Sequence, residues 1–228
     1  MRKVILLSTT FLLLLSCSDN SKKASSLQYE GEVVDTVVEE IVEDTVPNMI
    51  LPSGYSQKGY PEYVPQNDLE RRLLADLKEM EKATNNLDYK KIVSLYYPDY
   101  FKYLQKQVPD KTLPEIKEKF KEYLASNLSE RNNNYTNLWP EAKYSGIIVT
   151  NIINRVKEGD GLLYLYEYHT ILYSETDTIY KKEGEYSVAA SQNNGKKWYS
   201  TANSIEENFE ILGISFSRKA IDEVLTKK

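Results

Sequence analysis

The sequence predicts an α+β domain, with helices first and an antiparallel sheet after them, the helices packed on one face of a curved sheet. Two observations carry this. From residue 67 to about 125 the apolar residues recur at spacings of three and four, whereas beyond 144 they gather into Tyr-, Ile- and Val-rich runs parted by short turn sequences. The stretch 67–228 is about 160 residues, enough to bury roughly 70% of its unfolded surface in one core.

Leu69, Leu73, Leu77, Met80 and Ala83 form one stripe behind the capping residues Asn67 and Asp68, which predicts an amphipathic helix of about four turns. A second helix starts near Asp88, carries Ile92, Val93, Leu95 and Tyr96, breaks at Pro98 and resumes through Phe101 and Leu104. Thr112-Leu113-Pro114-Glu115 is a capping box that opens a third, with Ile116, Phe120, Tyr123 and Leu124 on one face. Strands are expected at 144–156, 162–173, 178–191 and 196–203, a four-stranded meander turned at Lys157 to Gly161, Ser174 to Asp177 and Asn193-Asn194-Gly195. A short helix near Lys219 to Leu225 closes the chain.

The order of these elements, with Leu87-Asp88-Tyr89-Lys90-Lys91-Ile92 before Tyr96-Tyr97-Pro98 and with Gly195-Lys196-Lys197-Trp198-Tyr199 near the last strand, resembles the nuclear transport factor 2-like, or cystatin-like, superfamily over residues 67 to about 205. The resemblance implies a cone-like wrap of the sheet. That superfamily holds isomerases and dehydratases beside binding, dimerisation and immunity modules, so an architecture is implied and an activity is not. No catalytic constellation of its enzymes maps onto this chain residue by residue.

Ahead of the domain lie two further segments. Arg2 and Lys3 precede the apolar run Val4 to Leu15, followed by Ser16 and Cys17, which is the form of a secretory signal over residues 1–16. The run is shorter than the roughly 20 residues a membrane-spanning helix needs. Leu14-Leu15-Ser16-Cys17 resembles the lipobox of bacterial lipoproteins. That resemblance implies acylation, palmitate included, at Cys17, which then heads the mature chain on the cell-envelope membrane. Ser18, rather than an aspartate, directly follows the cysteine, which points to the outer membrane rather than the inner by analogy with enterobacterial sorting.

Residues 17–66 read as a flexible tether: they hold Pro47, Pro52, Pro61 and Pro65, and Glu30 to Asp44 carry seven acidic residues and no basic one. Within it Val33, Val34, Val37, Val38, Ile41 and Val42 repeat every four residues, the pattern of a segment that could fold on a partner. Asp35-Thr36-Val37 and Asp44-Thr45-Val46, with Asp177-Thr178-Ile179 later, resemble a short Asp-Thr-aliphatic O-glycosylation acceptor of one group of Gram-negative bacteria. Thr36 and Thr45 are the expected sites.

Loss of Arg2 and Lys3 with the signal takes the 29 basic residues to 27 against 34 acidic, a net charge of −7. Such a chain is a poor partner for nucleic acid. Cys17 is the only cysteine and His169 the only histidine, which argues against disulfides and transition-metal sites; no cofactor is expected. There is no Gly-rich phosphate loop, Gly-x-Ser-x-Gly elbow, His-Glu-x-x-His or calcium loop.

What chemistry the sequence offers lies in the second strand. Tyr164, Tyr166 and Tyr168 point to one side of it, and Glu167 and His169 to the other. Inward tyrosines would make an aromatic wall for an amphipathic ligand or a partner protein. Inward Glu167 and His169 would make an acid and base pair in an apolar cone, suited to an isomerase or lyase; the alternative is an exposed pair on the outer face. The reading favoured is a membrane-tethered, non-enzymatic binding module, with the enzyme and a structural envelope protein as rivals.

Overall fold

The computed structural model describes residues 51–201 and 205–226. The expected signal, Cys17, Thr36, Thr45 and the valine-rich stripe all lie outside the described residues.

A short strand β1 (Tyr55–Ser56) precedes the helices, and it was not foreseen. Helix α1 (Asp68–Asn85) starts where the Asn67 side chain accepts the Glu70 N–H at 3.0 Å, and it buries Leu73 and Leu77. The chain leaves it through Leu87, whose φ of 53° ends the helix. Asp88 then caps α2 (Tyr89–Leu95) by accepting the Lys91 N–H. Pro98, which lacks an N–H to leave unpaired, takes the first turn of α3 (Pro98–Gln107), so the proline divides two helices as expected. The capping box forms: Glu115 accepts the Thr112 N–H at 2.8 Å at the head of α4 (Leu113–Leu138). Tyr96, Tyr100, Phe101 and Phe120 interlock where α2, α3 and α4 meet, with Tyr96 and Phe120 edge-on at 4.9 Å.

The sheet is open, antiparallel and six-stranded, where four strands were expected. Its long members are β2 (Tyr144–Glu158) and β3 (Gly161–Tyr173), paired from Glu158↔Gly161 to Tyr144↔Tyr173 around a turn in which Gly159 has φ +59°. The strand expected at 178–191 is broken into β4 (Thr178–Lys181) and β5 (Glu185–Ser191), which lie end to end along the other side of β3. Opposite His169 and Thr170 the chain spends Lys182 to Gly184 on a bulge that the pairing cannot absorb. The last expected strand, 196–203, contracts to β6 (Tyr199–Ser200), because Lys197 and Trp198 are held instead by Asp76 of α1.

Two helices follow, α5 (Ile205–Leu212), which was not foreseen, and α6 (Arg218–Leu225), which was. Asp99, fully buried at the start of α3, accepts from Gln192 at 2.7 Å and from Ser215, tying α3, the β5–β6 loop and the α5–α6 turn together.

Helices cover both faces of β3, not one. Leu73 and Leu77 of α1 pack on the side of Tyr164, Tyr166 and Tyr168, while Ile221 and Val224 of α6 pack with Leu163 and Leu165 on the other. The folded unit also starts before the expected boundary at 67, because Tyr55 and Ser56 pair with Lys181 and Tyr180 of β4.

Candidate functional site

The strand that carried the sequence argument is closed on both sides. Tyr164, Tyr166 and Tyr168 are 5%, 1% and 3% exposed, so the tyrosine strip is core beneath α1 rather than a contact surface. Tyr164 leans on Trp198 at 4.6 Å and on the Arg155 guanidinium at 5.8 Å. Tyr166 reaches Ser200 through its hydroxyl at 3.4 Å.

Glu167 and His169 do not form an open pair on the outer face, because the segment 51–66 crosses it as a strap. Tyr55 is buried beside Leu172 and Ile179, and Gly59 leaves room for the Tyr180 ring, which a Cβ there would meet at 3.2 Å. Tyr60 stacks on the His169 ring at 3.7 Å and 13°, and donates its hydroxyl to the Lys182 carbonyl at 3.0 Å. His169 is thereby 6% exposed.

Its Nδ1 lies 2.8 Å from the Lys181 carbonyl, and since a carbonyl only accepts, Nδ1 carries the proton. Glu167 accepts from Tyr186 at 3.3 Å, and no hydrogen bond among the described residues joins it to His169. Both side chains instead crowd Gly184 of the bulge, where a Cβ would meet Glu167 Oε1 at 2.8 Å and His169 Nε2 at 3.4 Å. The imidazole therefore works as a latch for the strap. Tyr60→Ala is expected to lower stability by about 1 kcal/mol, and to speed hydrogen exchange at the Tyr63 amide, which the strap holds against Val149 O at 2.8 Å.

An opening lies between α1 and β2, and sequence reasoning missed its key residue. A cleft of about 80 Å³ is lined by Leu77, Met80, Glu81, Ile147, Tyr166 and Tyr168, among others. Glu81 enters it as a surrogate strand: its Oε2 accepts the Ile147 N–H at 3.2 Å on the outer edge of β2. Asn85, one turn on, accepts from Ser145 N and donates to Ser145 O. Helix α1 thus covers an edge that would otherwise offer free backbone groups.

Gly146 leaves the carboxylate its place there, since a Cβ would fall 2.6 Å from it and the Glu81 side chain would have to shift. Burial pushes the Glu81 carboxyl above its ordinary range, against the Ile147 N–H and the nearby Lys78, which pull it down. The signal available was its spacing: Glu81 follows Leu77 by four residues and so borders the apolar stripe.

A second carboxylate, Glu70, is fully buried under the strap's end. It accepts from Gln66 N at 2.7 Å, Tyr63 Oη at 2.8 Å, Asn67 Nδ2 at 3.1 Å and Arg155 Nε at 2.9 Å. Desolvation opposes its charge, yet these donors outweigh it and hold the carboxyl below its ordinary value. Every oxygen is occupied, so this is a structural clasp. Asp177-Thr178-Ile179 begins β4, with Thr178 paired to Tyr173 and Ile179 fully buried. Among the described residues no group of acidic or histidine side chains could hold a metal, and no helix is long and apolar enough to cross a membrane.

Fold and site together define an α+β protein with an open antiparallel sheet, both faces covered, and a carboxylate-bearing cleft at its outer edge. No family model, curated protein or solved structure matches the chain.

Proposed function

We propose that this chain is a lipid-anchored envelope protein whose domain is a non-enzymatic binding module, with the α1–β2 cleft as its contact site in place of the tyrosine strip. The observation that carries the choice of site is that Glu81 faces an open cleft, while His169 lies under the strap and Glu167 accepts from Tyr186. The size of the cleft supports binding over turnover: at about 80 Å³ it admits an end group, whereas sites that enclose a whole small molecule run to roughly 300–1,000 Å³. An isomerase or lyase is the second reading, favoured by the raised Glu81 carboxyl beside Tyr168, a pairing that could move a proton.

Three further parts of the proposal rest on sequence. Acylation at Cys17 anchors the protein to the outer membrane, residues 17–50 act as a tether that sugars at Thr36 and Thr45 would decorate, and the sheet follows the nuclear transport factor 2-like cone. The two register shifts in β2, at Val149/Asn151 and Ile152/Asn154, support that last point, because bulges bend a strand. A crystal structure with a flat sheet would refute the cone.

The anchor is tested by feeding cells an alkyne-tagged palmitate. The full chain is expected to carry the label and sediment with membranes, and Cys17→Ala to lose both. Label retained in Cys17→Ala would end the anchor proposal, and intact-mass analysis without added sugar would end the glycosylation.

A further inference from the structure

Resting on the cleft as the contact site, we infer that what it receives is a primary ammonium group at the end of an alkyl chain. Four features of the cleft fit that group together. Glu81 Oε2 is engaged by Ile147 N–H, while Oε1 has no hydrogen-bond partner among the described residues and no lysine or arginine there forms an ion pair with Glu81. Lys78, about one turn back along α1, pairs with Glu62 at 3.0 Å instead. A half-buried carboxylate without a cation is costly to keep charged, and an incoming cation would remove that cost.

The walls select the kind of cation. Leu77, Met80 and Ile147 offer an alkyl chain the apolar contact it needs. One free carboxylate oxygen suits a compact ammonium, whereas a guanidinium is best met by two parallel acceptors. A hard metal ion would need several oxygen ligands, and no such group surrounds Glu81 among the described residues. The volume admits a chain end and excludes a large head group, so the ammonium is that of a free alkylamine or of a lysine presented by a polypeptide.

Glu81 is held so that this works. Gly146 gives its carboxylate the space of a missing side chain, and the Ile147 N–H fixes its orientation before any ligand arrives. The excess of acidic over basic residues in the whole chain draws cations towards it.

The test is an amide chemical-shift titration of the full chain with n-butylammonium and, in parallel, uncharged n-butanol, at mildly alkaline pH. Saturable shifts at Gly146, Ile147 and Tyr168 are expected with n-butylammonium, and binding of n-butanol is expected to be on the order of tenfold weaker. Glu81→Gln, which keeps an oxygen facing Ile147 N–H and so the edge contact, should bind the two probes alike. Nα-acetyl-lysine amide tells the sources apart: affinity matching n-butylammonium supports a lysine-bearing partner, and no binding supports a free amine.

Equal binding of n-butanol and n-butylammonium to the unaltered chain would overturn the ammonium inference while leaving the cleft as an apolar contact site. No shift at these amides with either probe would overturn both. The comparison of probes on the unaltered chain decides the matter even where Glu81→Gln fails to fold.

Discussion

Tyr166→Ala is expected to lower the unfolding free energy by about 3–5 kcal/mol, the loss typical of truncating a buried aromatic side chain. Tyr166 is 1% exposed, between Ile152, across from it on β2, and the α1 residues Leu73 and Leu77, so its removal leaves a cavity that a sheet and a helix cannot both close. Tyr166→Phe keeps the ring and gives up the 3.4 Å contact with Ser200, which should cost less than about 1 kcal/mol. Tyr186→Ala, at a tyrosine 39% exposed on β5, should also stay under about 1 kcal/mol. Urea unfolding of the three variants separates the cases. A strip that served as a binding surface would give the opposite ranking, with Tyr166→Ala tolerated by the fold and harmful only to partner binding.

The helices were legible because their signals are local. Asn67, Asp88 and the Thr112–Glu115 box each name a helix start within three residues, and each forms as read. Strand β3 was legible for the same reason, down to the turn at Gly159. What the alternation of Tyr164, Tyr166 and Tyr168 with Glu167 and His169 obscured was coverage of both faces. The signal for it sits one turn of the pleat earlier: Leu162-Leu163-Tyr164-Leu165-Tyr166 is apolar at both parities, the pattern of a strand buried on each side. Helix α6 and the strap supply the second cover, and the strap looks like tether in sequence because prolines and polar residues surround its three anchoring tyrosines, Tyr55, Tyr60 and Tyr63.

Glu81 and Glu70 were missed for a different reason. Spacing places Glu81 at the border of the apolar stripe of α1, but the partners of both carboxylates are distant: Ile147 lies 66 residues from Glu81, and Arg155 lies 85 from Glu70. No period or motif in one sequence reports such a contact. The two then diverge chemically through their surroundings alone, one carboxylate saturated with donors and the other left with a single N–H. Only the second has capacity for a ligand, which is why the candidate site lies there and not at the better-connected Glu70.

Arg155→Met should destabilise the protein by about 2–3 kcal/mol. Breaking a buried ion pair costs about 3–5 kcal/mol, and the lower figure applies because the Arg155 side chain is 36% exposed while that of Glu70 is 1%. The loss falls on Glu70, which keeps its buried charge with one donor fewer, and Arg155 also leaves Tyr63 Oη, 2.9 Å away. Pairing it with Glu70→Gln should recover part of the loss, since a neutral amide tolerates the missing cation, and a double-mutant cycle reads the coupling. The pH dependence follows from the direction of the Glu70 shift. Its carboxyl titrates below the ordinary 4.5 in the folded chain, so the stabilisation is complete above about 4.5 and is lost as pH falls through the lower folded value. Glu81 runs the other way, since its raised carboxyl stabilises below 4.5 and that contribution disappears as pH rises through the folded value. Glu70→Gln should therefore flatten the acid limb of the stability profile, and Glu81→Gln the limb just above it; an unchanged acid limb in Glu70→Gln would show that the clasp does not hold the strap and α1 together as described.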